Sequence, residues 1–254
     1  MTQEDVTRQQ FDLTAKAYSK APLFVRGHDL TLMVEVAKPV NTWHVLDIGC
    51  GAGHTAFAFA PYVQQVVGID LSPGMLLEAQ QNLQERGLTN IHFQQASVTP
   101  LPFGNEAFDL VTCRFVAHHF SNLSLALSEI RRVLKREGQL LVVDVISPEA
   151  DGLAQFVNHI ERLRDPSHFW EWKVSQWQAA MLEVGMSFSS LNQWRLPIDF
   201  EDWTTRQQTP SSVVEELKAL LDSASEPIKT ALQLEKQPRQ AFQLWAALMR
   251  GVPV

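Results

Sequence analysis

The chain has 254 residues, with 21 Lys and Arg against 28 Asp and Glu, and a formal net charge of −7. That length suits one α/β domain with additions, and it is too short for two large independent domains. An acidic balance without a basic block argues against a nucleic-acid substrate, because neutralised phosphates supply most of that affinity, and no segment approaches the ~20 apolar residues of a membrane helix.

The polar start, with Thr2, Gln3, Glu4, Asp5 and Arg8, does not read as a signal peptide, which leads us to expect a cytoplasmic protein. Residues 1–35 carry a helix-like pattern with Phe11, Tyr18 and Phe24, ahead of the first strand. Strands are expected at 43–47, 66–70, 91–95, 110–114, 139–145, 186–193 and 243–249. Between them, 73–86 reads as a helix with Ser72 as its N-cap and Pro73 in its first turn. Leu123, Leu127, Ile130 and Leu134 form a stripe of helical period, placing a helix against the sheet. Repeated strand–helix units imply a parallel sheet covered on both faces. The rhythm breaks at 147–185, a long helical pattern followed by Arg164-Asp165-Pro166-Ser167-His168. Residues 199–233 read as short helices punctuated by Pro210 and Pro227, extending a substrate pocket or forming a homodimer surface. Cys50 and Cys113, the only cysteines, each end a predicted strand and read as reduced, buried residues.

The first strand ends Val45-Leu46-Asp47-Ile48 and runs into Gly49-Cys50-Gly51-Ala52-Gly53; the second ends Val66-Val67-Gly68-Ile69-Asp70. Strand, glycine turn, helix and second strand, with an acid roughly 20 positions past the turn, is the pattern that holds a ribose diol. The glycine spacing is Gly-x-Gly-x-Gly followed by His54, whereas a dinucleotide fold has Gly-x-Gly-x-x-Gly aimed at a pyrophosphate. Asp47 ahead of the turn would repel a pyrophosphate and attract an ammonium, an effect on the order of 4 kcal/mol for unit charges ~4 Å apart at a protein surface. A ligand with a ribose, an ammonium and no phosphate satisfies these conditions, and S-adenosylmethionine is one.

With these motifs the chain resembles the class I S-adenosylmethionine-dependent methyltransferases, in particular the small-molecule group that includes the ubiquinone and menaquinone biosynthesis enzymes. The resemblance runs from about residue 11 to about residue 186 and is strongest at 46–53, 101–110 and 114–144. It implies an α/β, Rossmann-like, seven-stranded and mostly parallel sheet with helices on both faces and a final antiparallel strand. Residues 1–35 and 147–185, as extra elements at the edge where such sheets bind ligands, are expected to form a helical lid, and 199–233 C-terminal helical additions. It also implies that Gly49, Cys50, Gly51 and Gly53 cradle the methionine part, that Asp70 holds the ribose and that Leu71 packs on the adenine. Ser97 and Val98 fall where the adenine is contacted; the family usually has an acid at the position of Ser97, and a hydroxyl there accepts without charge assistance. A Pro-Gly-Gly turn common in the family is replaced by Arg136-Glu137-Gly138. We expect one unit, 1–254, divided into an N-terminal lid (1–35), a cofactor core (36–146), a lid or substrate insertion (147–185) and a C-terminal part completing the sheet (186–254).

Methyl transfer is an in-line displacement in which the protein mainly positions the reactants and excludes water, with a base where the acceptor must lose a proton. His118 and His119 follow the fourth strand and have the pKa suited to that task; they are candidate catalytic residues or, alternatively, loop-orienting ones. Arg114 contacts the cofactor through its backbone, while its guanidinium binds an anionic substrate or pairs with an acid. The resemblance implies that Tyr18 hydrogen-bonds the methionine carboxylate; alternatively, Tyr18 and Phe11 staple their helix to the core. Arg164 and His168 either face the substrate or belong to an ordinary turn. The adjacent histidines lack the spacing of helix-borne metal sites, and no metal is expected. The reading is a methyltransferase acting on a small-molecule acceptor, with S-adenosylhomocysteine as product. A non-catalytic cofactor-binding protein stays open, as does a nucleotide-dependent oxidoreductase, which His54 and Asp47 disfavour.

Overall fold

A computed structural model describes residues 1–235 and 240–254 of the chain. Helices α1 (Gln3–Lys20), α2 (Pro22–Val25) and α3 (His28–Ala37) precede the first strand. The core then runs β1 (His44–Ile48), α4 (His54–Phe59), β2 (Gln65–Asp70), α5 (Pro73–Arg86), β3 (Ile91–Gln95), β4 (Phe108–Arg114), α6 (Leu123–Val133) and β5 (Leu134–Val145). After it come α7 (Asp151–Arg164), α8 (Val174–Glu183), β6 (Met186–Asp199), α9 (Phe200–Arg206), α10 (Ser211–Ser223), α11 (Glu226–Leu232) and β7 (Ala241–Pro253).

The seven strands form one sheet in the order β3-β2-β1-β4-β5-β7-β6, with β7 antiparallel to both of its neighbours. Neighbouring residues on a strand face opposite layers. Leu46 and Val142 join the α6 and α8 side, with Leu127, Ile130 and Trp177, while Val45 and Val143 join the α3 and α4 side, with Met33 and Phe59. The α6 stripe of Leu123, Leu127 and Ile130 is buried as its period predicts. At the N-terminus of α5 the Ser72 hydroxyl accepts from the Met75 N–H at 3.0 Å. A third apolar cluster joins Val157 and Ile160 of α7, Trp203 of α9 and Leu217 of α10 to Leu196, Phe242 and Leu244 of β6 and β7.

Three expectations change in detail. The 136–138 turn is absent: α6 passes directly into β5, and 135–138 form a bulge, since Phe108 pairs with Leu134 but Leu110 pairs with Gln139. The expected sixth strand stopped at residue 193, yet β6 continues to Asp199 with an irregularity between Ser190 and Asn192. Exposed polar residues at this edge hid its length, because apolar periodicity reports only buried faces. The seventh strand likewise extends to both sides of 243–249.

Strand order reverses between β1 and β4, and Ile48 pairs with both Ile69 and Cys113 there. A crevice at such a switch point, outside the carboxyl ends of the strands, is where open α/β sheets bind ligands. Helix α1 crosses this end of the sheet. Asp12 accepts from the Ser72 hydroxyl at 2.6 Å and from the Gly74 N–H at 2.9 Å, while Gln10 donates to the Gln207 carbonyl at 2.9 Å.

Candidate cofactor and acceptor site

The turn after β1 is shaped by residues that need positive φ. Gly49 has φ +61°, and a Cβ on it would come within 2.4 Å of Val116 Cγ2. Gly51 has φ +51°, but a Cβ there would meet nothing closer than Met75 Sδ at 3.9 Å and would instead stand in the crevice. The backbone is thus laid open to a ligand at Gly51. Its N–H donates to Asp70 Oδ2 at 2.8 Å, and the Ser72 N–H donates to Asp70 Oδ1 at 2.9 Å. Each oxygen keeps a lone pair for a further donor. Burial pushes the Asp70 carboxyl up to about 6, against the opposing pull of these backbone N–H groups.

Gly49, Cys50, Gly51, Asp70, Leu71, Val98, Arg114 and Tyr18 all line one cavity, together with Ala96 and Met75. Gly53 and Asp47 do not border it. Gly53 is the N-cap of α4. Asp47 is buried at the end of β1, where Oδ1 accepts from the Thr112 hydroxyl at 2.8 Å and Oδ2 has no hydrogen-bond partner among the described residues. Burial raises it to about 7. The Ser97 hydroxyl is already engaged, donating to Glu4 Oε1 at 2.6 Å and accepting from the Thr99 N–H at 2.8 Å. Arg114 is buried and ion-paired with Asp29, and its guanidinium also donates to the Leu23 carbonyl at 3.0 Å. Of the two roles open to that guanidinium, the structure shows pairing with an acid. The Tyr18 hydroxyl donates to Gln207 Oε1 and so ties α1 to the residue after α9.

Phe115, immediately after β4, takes φ +53°. That conformation is unusual for a bulky residue and marks a segment held by its surroundings. It leads into the His118–His119 turn, against which the 164–171 segment packs. The Phe169 and Trp170 N–H groups donate to the His118 carbonyl at 2.9 and 3.0 Å. His119 Nδ1 lies 2.8 Å from the Ser167 carbonyl. A carbonyl only accepts, so Nδ1 carries the proton. Burial and the adjacent His118 lower His119 to about 4, leaving a neutral ring whose Nε2 is unprotonated. His118 behaves oppositely. Burial opposes its charge, but Asp144, with Oδ1 at 2.6 Å from Nδ1, raises it above the ordinary histidine value.

A second cavity lies beside the first and shares Phe11, Tyr18, Phe24, Phe115 and His119 with it. His118, Arg164 and His168 border it, so the structure brings together residues that the sequence offered as separate candidates. Arg164 pairs with Glu161 at 2.9 Å, and His168 Nε2 lies 3.0 Å from Asn158 Oδ1. Burial drives His168 far down, with His118 and His119 adding to the effect. Glu171 also borders this cavity; both of its carboxyl oxygens are buried without a hydrogen-bond partner among the described residues, and burial raises its pKa strongly. Sequence reasoning missed Asp29, Glu171, Glu4 and the role of Asp144. Only Asp144 had a local signal, since it ends the apolar run Leu140–Val143 as Asp70 ends its own.

Residues 46–142 match a protein-family model described as a methyltransferase domain. The chain is 40% identical over 246 residues to the "Uncharacterized methyltransferase YcgJ" of Bacillus subtilis, covering 95% of this chain and 97% of that protein. It belongs to this methyltransferase family. The crystal structure of that relative superposes with a TM-score of 0.86, covering 89% of this chain and 98% of the other. A putative methyltransferase of Bacillus halodurans, 34% identical, also gives 0.86, over 90% of this chain and all of the other. The demethylmenaquinone methyltransferase of Bacteroides fragilis is 28% identical over 171 residues, 63% of this chain and 68% of that enzyme.

Proposed function

We propose that the protein is an S-adenosylmethionine-dependent methyltransferase acting on a small-molecule acceptor. The observation that carries this reading is the pair of cavities with a common wall. One lies over the glycine turn and Asp70, and the other is bordered by His118, Arg164, His168 and Glu171. The demethylmenaquinone methyltransferase among the relatives supports a small-molecule acceptor.

The residues of the first cavity fit the cofactor. Gly51 leaves open space, and Asp70 is held by two backbone N–H groups with lone pairs to spare for a diol. Leu71, Ala96 and Val98 give a purine apolar surfaces. When bound, S-adenosylmethionine supplies a methyl group on a sulfonium, ready for in-line displacement. The protein orients the acceptor in the second cavity and covers both reactants with α1, keeping water out. His119 stands in the shared wall as the neutral base, with Nε2 free to take a proton from an acceptor O–H or N–H. His118, held by Asp144, fixes the turn that carries it.

The test is turnover. Purified protein incubated with S-adenosylmethionine and a small-molecule extract of cells releases S-adenosylhomocysteine, and Asp70→Ala abolishes the release. If the wild type binds the cofactor but yields no product with any extract or acceptor library, the enzymatic reading is overturned in favour of a binding protein.

A further inference from the structure

Resting on the S-adenosylmethionine reading, we infer that Glu4 of the lid helix, and not the loop after β3, recognises the adenine amino group. That amino group only donates, so selectivity for adenine requires a protein acceptor at the purine end of the cavity. Around that end Leu71, Met75, Ala96 and Val98 offer no side-chain oxygen, and Thr99 offers only a neutral hydroxyl. Ser97 is the obvious candidate by sequence position, but it does not border the cavity, and its hydroxyl is already engaged with Glu4 and with the Thr99 N–H. Among the described residues, two carboxylates line the cavity, Glu4 and Asp70. Asp70 is anchored to Gly51 and Ser72 at the ribose end.

Glu4 is half-buried, and Ser97 holds its Oε1 at 2.6 Å. Its Oε2 has no hydrogen-bond partner among the described residues. Asp12, further along α1, clamps Ser72 and Gly74 beside Asp70, so the helix spans the cavity from the purine loop to the ribose loop. Ser97 therefore orients the Glu4 carboxylate and leaves base recognition to it. A charge-assisted hydrogen bond of this kind discriminates by about tenfold or more.

The experiment compares calorimetric affinities for S-adenosylhomocysteine and for its analogue carrying unsubstituted purine in place of adenine. Wild type binds the adenine compound at least about tenfold more tightly. Glu4→Ala reduces the ratio to about twofold or less, and Glu4→Gln, which keeps a neutral acceptor, gives an intermediate value. Asp5→Asn serves as the control. It removes the charge from the capping box of the same helical turn, where Asp5 accepts from Thr2, and Asp5 does not border the cavity. It lowers both affinities in parallel and leaves the ratio unchanged. If Glu4→Ala keeps the wild-type ratio, or Asp5→Asn erases it equally, Glu4 is not the reader, while the proposed function still stands. If wild type binds neither compound, the cofactor reading falls and this inference with it.

Discussion

Burial lowers both of the adjacent histidines, but at His118 the carboxylate of Asp144, hydrogen-bonded to that ring alone, outweighs it. Asp144 holds His118 on the charged side, while His119 faces a carbonyl and a charged neighbour. Asp144→Asn keeps the shape of that contact and removes its charge. Burial then prevails, so the His118 midpoint in an NMR titration falls from above the ordinary 6.5 to below it. An unchanged midpoint would show that Asp144 does not set the charge. Asp70 and the glycine turn were legible because strand-end acids and turn glycines are local signals. Asp144 carries the same signal. The engagement of Ser97 by Glu4 joins positions 93 residues apart and leaves no local trace.

At the scale of elements, what reads well from sequence is what neighbours in the chain decide. The capped α5 and the apolar stripe of α6 follow from residues three and four apart. The attachment of α3 does not. It depends on Asp29, near the start of α3, meeting Arg114 at the end of β4, a pair of which each side chain is no more than 5% exposed. Asp29→Ala leaves the Arg114 guanidinium with the Leu23 and Phe24 carbonyls as its remaining partners. Breaking a buried pair from one side costs about 3–5 kcal/mol. Urea unfolding of Asp29→Ala should show a loss of that order, and adding Arg114→Met should recover most of it. Additive losses in the double variant would mean that the two side chains do not act as a pair. The place of the α1 segment, an extra element ahead of the first strand, is what suggests a lid in the sequence, but its grip on the sheet end comes from Gln10 and Asp12, which no periodicity marks.

For the molecule as a whole, the raised carboxyls set the direction of its pH dependence. Asp70 at about 6 and Asp47 at about 7 both lie above their unfolded value of 3.8. The folded chain therefore retains protons that the unfolded chain gives up. Their contribution to stability is full below the unfolded value and is lost as pH rises through about 6 and 7. Binding runs the other way, because a diol needs the ionised Asp70 to accept its hydroxyl protons. Affinity for S-adenosylhomocysteine should rise between about pH 5 and about pH 7.5, with proton release visible as a dependence on buffer ionisation enthalpy. Asp70→Asn should flatten the part centred near 6. A wild-type affinity independent of pH over that range would contradict the assignment of Asp70. The sheet order has a further consequence, for biosynthesis. Strand β7 lies between β5 and β6 although it follows β6 by an intervening run of three helices. On a translating ribosome, β6 must wait with an open edge until Ala241–Pro253 has emerged, a delay on the order of seconds at typical elongation rates. During that interval the nascent chain presents a strand template to any neighbour.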